Sequence, residues 1–119
     1  MAANASNSDK NLKDLTAKEL RTTRNEMLKR ENWTAASAAG VETFRSYVRT
    51  LNEIQGAVRD LEKAQLKTAL QQVKSLESDL RAGIDDLIEA RKGIERVENF
   101  VAATGKVLEL VAKAIRVAA

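Results

Sequence analysis

Asp85, Asp86 and Glu89 in IDDLIEA form the densest carboxylate group in the chain, one helical turn from end to end. Three oxygen donors at that spacing suit a hard cation such as Mg²⁺. Diphosphate chemistry on such an ion needs a second acidic helix across a cavity, and no second acidic motif is present. Glu89 also has Lys92 three residues on, the spacing of a surface ion pair, so the group reads as a solvated, salt-laced face.

A second group is basic. KELRTTRNEMLKR carries Lys18, Arg21, Arg24, Lys29 and Arg30, with Trp33 just beyond as a potential stacking surface. This is the composition of a weak nucleic-acid contact. Glu19, Glu26 and Glu31 interrupt it, however, and an amphipathic exposed helix explains the same pattern. Arg45 and Arg49 around Tyr47 repeat the motif on a smaller scale.

Histidine and cysteine are absent altogether. That removes Ser-His-Asp and Cys-His nucleophile systems and the usual zinc sites, and no glycine-rich phosphate loop replaces them. The expectation is a protein that is not an enzyme, with no catalytic residues, cofactor or metal. A cytoplasmic location is expected from the lack of cysteine and from a start, MAANASNSDK, without the features of a signal peptide.

The elements that would carry these residues are helices. With no proline, five glycines and 3% aromatics, the chain has little turn chemistry for a sheet and few helix breakers. The 44% apolar content supports one folded core, yet 19 of the 52 apolar residues are alanine. A core built from the remainder is thin unless helices pack closely or chains associate.

Residues 1–11 read as a flexible leader and 12–119 as a single helical domain. Thr16 and Glu19 have capping-box spacing, which predicts a short helix over about 14–31 with Leu20, Met27 and Leu28 on its apolar side. ENWTAASAAG predicts the first break, with Trp33 at the corner. Beyond it, Val41, Phe44, Val48, Leu51 and Val58 form one stripe.

The strongest pattern follows. Steps of seven from Leu66 reach Val73, Leu80, Leu87, Ile94, Val101, Leu108 and Ile115, all apolar. Three positions later in each heptad stand Ala69, Leu76, Gly83, Ala90, Val97, Thr104, Val111 and Ala118. Opposite them, Gln71, Ser78, Asp85, Lys92, Asn99, Lys106 and Lys113 are polar throughout. An unbroken helix over 66–119 would be about 80 Å long at 1.5 Å per residue, so breaks are expected, with Gly56 and Gly105 as candidate points.

The expected fold is therefore all-α: a helical hairpin or coiled-coil-like bundle of three to four helices, with one long C-terminal heptad-patterned stretch and the hairpin over about 34–119. Its interaction seam would be Leu66, Val73, Leu76, Leu80, Leu87, Ile94, Val97, Val101, Leu108, Val111 and Ile115. Self-assembly or protein-protein interaction is the expected function, as structural subunit, adaptor or small immunity-type inhibitor, with a second copy of the chain or another protein as partner. From residue 100 the apolar side widens, which suggests an alternative: a peripheral membrane or surface protein using helix 100–119, through Phe100, Val107, Leu110, Lys113 and Arg116. Nucleic-acid binding by the first helix is the third reading.

Overall fold

The computed structural model describes residues 5–118, with side chains from Leu12 onward, Lys67 excepted. The described residues form six helices and no strand: α1 (Ala5–Met27), α2 (Arg30–Ala38), α3 (Val41–Lys63), α4 (Leu66–Gln72), α5 (Leu76–Arg91) and α6 (Val97–Ala118). Six helices replace the expected three to four because the heptad stretch is divided into α4, α5 and α6. Its longest dimension is 48 Å, well short of an unbroken helix over 66–119.

Four arms pack side by side: α1, α3, α4 with α5, and α6. Two contacts show that α1 and α3 run antiparallel. Near one end the Lys13 ammonium donates to the carbonyls of Glu62 (2.7 Å) and Ala64 (3.2 Å), and near the other the Tyr47 hydroxyl donates to the Met27 carbonyl at 2.9 Å. All three bonds use carbonyls at helix C-terminal ends, which lack partners within their own helix. The lysine also sets a positive charge against the negative end of the α3 dipole.

α6 touches α3, α4 and α5. It runs parallel to α3, since the Thr43 hydroxyl lies 3.5 Å from Glu98 near both N-termini and Asp60 lies near Ile115 towards both C-termini. Against α5 it is antiparallel, and the crossing is close at Gly83, where an added Cβ would sit 3.4 Å from Leu110 Cδ1 and Val107 Cγ2. Three neighbours account for the wide apolar side of the last helix, which a two-helix seam would leave exposed.

The buried face of α1 is Leu12, Thr16, Leu20, Thr23 and Met27. Its two threonines satisfy their hydroxyls locally: Thr16 donates to the Leu12 carbonyl at 2.7 Å and Thr23 to the Glu19 carbonyl at 2.8 Å. Thr104 does the same to Phe100 in α6. Thr16 is thus a mid-helix residue and not the N-cap its spacing with Glu19 implies; α1 starts at Ala5, inside the stretch read as a leader, while residues 1–4 lie outside the described residues.

The breaks are local. Asn32 donates from its amide to the Glu26 carbonyl at 2.7 Å and holds the α1–α2 corner, and Gly40, at φ 112°, turns the chain into α3. Val73 adopts extended backbone between α4 and α5, and three-residue turns over 89–96 join α5 to α6. Neither candidate point, Gly56 or Gly105, is a break; α3 and α6 pass through both. An isolated glycine costs a helix only about 1 kcal/mol, less than the packing on either side supplies.

Candidate interaction surface

The parallel pair α3 and α6 leaves a trough along its outer side. Its widest part, about 460 Å³, is lined by Glu53, Gly56, Ala57 and Asp60 from α3 and by Leu108, Val111, Ala112, Ile115 and Arg116 from α6. The small residues Gly56, Ala57 and Ala112 keep the walls low, and the largely buried Leu108 and Val111 form an apolar floor. Towards the C-termini a hollow rimmed by Asp60 and Lys63 continues it, and towards the N-termini a separate hollow lies between the same two helices, rimmed by Glu42 and Glu98.

Leu108, Val111 and Ile115 of the heptad seam line this trough, and the other seam residues lie elsewhere. Leu66, Leu76, Leu80, Leu87, Ile94, Val97, Leu108 and Val111 are buried in the core of the single chain, and Val73, Val101 and Ile115 are half-buried. The seam therefore faces this chain's own helices and presents no continuous free face. All seven polar positions opposite it are exposed. In α6 the inward stripe keeps Val97, Thr104, Leu108 and Val111 of the heptad pattern and widens to Phe100, Val107 and Ala114, while Val101 and Ile115 are only half-buried.

Of the alternative membrane-facing set, Phe100 and Val107 are fully buried and Leu110 is half-buried, leaving Lys113 and Arg116 exposed. No described helix is long and apolar enough to cross a membrane. The basic residues of α1 and of the start of α2 do not act as one patch. Arg21 pairs with Glu62 of α3, Lys29 pairs with Glu26 at 2.7 Å, Lys18 and Arg30 are exposed, and Arg24 is half-buried. Glu26 also raises the Lys29 pKa, first through the hydrogen bond and then through its charge.

Tyr47 is core and not a stacking surface. Its ring lies 6.2 Å from Phe100 and 6.0 Å from Trp33, and burial pushes its hydroxyl pKa up to about 12, so it stays protonated near neutral pH. Trp33 lies inside α2 and not at a break, since ENWTAASA is helical; it meets Phe44 of α3 edge-on at 5.2 Å and is 37% exposed, and Leu28 (56%) and Val41 (72%) are more open still. Asp85, Asp86 and Glu89 are exposed, and no group of three or more potential metal ligands occurs among the described residues.

The α6 wall of the trough carries Leu108, Val111, Ile115 and Arg116, which the sequence marks as seam or partner-facing residues, but the α3 wall was not legible there. Its only signal is the small pair Gly56 and Ala57 on an amphipathic helix, and nothing in the pattern says that α3 and α6 are neighbours. Comparison with family models, with curated proteins and with solved structures finds no match to this chain.

Proposed function

We propose that the protein is a non-enzymatic interaction module, a helical bundle that self-assembles through the α3–α6 trough. Most of the heptad seam is then the internal contact of each bundle, and the trough, which includes Leu108, Val111 and Ile115 of that seam, is the surface offered to a partner. A cytoplasmic setting fits the lack of cysteine.

The observation that carries this reading is the trough itself: an apolar floor between small-residue walls, open to solvent along a pair of parallel helices. Grooves of this form accept the apolar face of another helix. The rim charges favour a second copy. The N-terminal end bears Glu42 and Glu98, and the C-terminal end bears Lys63 and Arg116 with Asp60 between them. A two-fold axis across the trough sets the acidic end of one chain against the more basic end of the other, the self-complementarity that a symmetric dimer requires.

Absolute mass by light scattering coupled to size exclusion tests the reading. Twice the chain mass is expected, with Ala112→Arg, which fills the trough with a charged side chain, reverting to one. A wild-type monomer at every concentration, or a dimer indifferent to Ala112→Arg, overturns it.

A further inference from the structure

The antiparallel packing of α1 on α3 brings three arginines to one pocket. Arg21 and Arg24, one turn apart on α1, line a pocket of about 180 Å³ together with Arg59 from α3. Glu62 is the one carboxylate in the lining, and it is engaged by Arg21. Arg59 has only its sequence neighbour Asp60, at 3.9 Å, a contact between two largely exposed side chains that gains little.

Arg24 is the anomaly. It is half-buried, forms no ion pair among the described residues, and its Nε is fully buried with no acceptor. Burial of a donor without a partner is costly, and such groups are rare enough in folded proteins to require an explanation. Nε itself is closed to solvent, and what an incoming anion meets is the uncompensated charge of Arg24 in the pocket wall.

We propose that this pocket binds a phosphate group, held by Arg24 and Arg59 with Arg21 at the rim. Guanidinium forks match the geometry of phosphate oxygens, and Ile54 and Val58 in the lining lower the local dielectric and strengthen the attraction. The ligand is a single phosphate, free or on a small ester. A nucleic-acid backbone needs a continuous basic track, and Glu62 at the pocket with Asp60 beside Arg59 interrupts one here. The site is separate from the α3–α6 trough and does not depend on self-assembly.

Titration calorimetry with inorganic phosphate, at constant ionic strength set with chloride, is the direct test. Saturable binding with one site per chain is expected. Arg24→Met should weaken it at least about tenfold, the loss of one charge-assisted hydrogen bond. Arg59→Gln, at an exposed position that cannot unfold the protein, should weaken it several-fold, and Lys106→Gln on α6 should leave it unchanged. Without phosphate, Arg24→Met should melt at or above the wild-type temperature, because an unsatisfied donor is removed; a lower melting temperature would mean that Arg24 serves the fold. No saturable binding by folded wild type, or binding indifferent to both arginine variants, overturns the proposal. So does a steeply salt-dependent affinity for a single-stranded oligonucleotide that phosphate fails to displace.

Discussion

Glu19 and Arg91 stand 72 positions apart in the chain and meet with 2.8 Å between Glu19 Oε1 and Arg91 Nη1, their side chains only 11% and 16% exposed. The contact joins α1 to the last residue of α5. Hydrogen-bond geometry is not met at that carboxylate oxygen; Nη1 instead lies 3.4 Å from the Glu19 carbonyl and 3.3 Å from the Thr23 hydroxyl. The pair is therefore a close charge contact shielded from water, with both charges dependent on each other.

Removal of either partner strands the other. Glu19→Gln or Arg91→Gln should destabilise the fold by about 2 kcal/mol, below the range for fully buried pairs because some exposure remains. The double variant should lose less than the sum of the singles, with a coupling of about 1 kcal/mol. Urea denaturation of the four proteins measures the cycle, and strict additivity would show that the two charges do not interact.

Tyr47 makes stability fall at high pH. Its folded pKa, about 12, lies above the ordinary tyrosine value of about 10, so the unfolded chain releases the proton first. The stabilisation is complete below pH 10 and is lost as pH rises from about 10 to 12, on the order of 2 kcal/mol in all. Lysines titrate in the same window, so the readout is the stability difference between wild type and Tyr47→Phe. That difference should be constant below pH 9 and shrink above 10; a flat difference would refute the assignment.

Two glycines should respond in opposite directions. Gly40 has φ 112°, where a side chain is strained even though nothing lies within 4 Å of its would-be Cβ, and Gly40→Ala should cost about 1–2 kcal/mol. Gly105 sits inside α6 with the same open space, and Gly105→Ala should gain about 0.5–1 kcal/mol. Thermal melts resolve both signs.

The inward phase of the heptads can be tested at α5 and the turn that follows it. Leu87 is fully buried, and Leu87→Asp should abolish cooperative folding. Lys92 is exposed, and its 3.1 Å contact with Glu89 is a surface ion pair, so Lys92→Asp should cost less than about 1 kcal/mol. Equal losses, read by circular dichroism during denaturation, would place the core on the wrong face.

The all-helical class and the residues that make up the apolar face of α4 and α5 were legible in the sequence alone. Absence of proline and a seven-residue apolar repeat are local properties, and a helix responds to them wherever it docks. That is why Leu66, Leu80 and Leu87 are buried while Gln71, Ser78 and Asp85 are not. The stripe in α3 was less legible: Val41 is 72% exposed, and Tyr47, Leu51, Ile54 and Leu61 are the residues buried. Near the α3 N-terminus, packing on α1 and α6 selects a face turned from the one its valines suggest.

Only the tertiary structure decided where the seam points and which surfaces remain free. A heptad repeat states that two helices meet and is silent on whether the second belongs to the same chain. Here α4, α5 and α6 turn the seam inward, because breaks at Val73 and after Arg91 let successive segments fold against α1, α3 and one another. Contacts such as Glu19 with Arg91, the convergence of Arg24 and Arg59, and the trough between α3 and α6 unite residues more than 30 positions apart. Their existence depends on the order and direction of helix packing, which no local periodicity encodes.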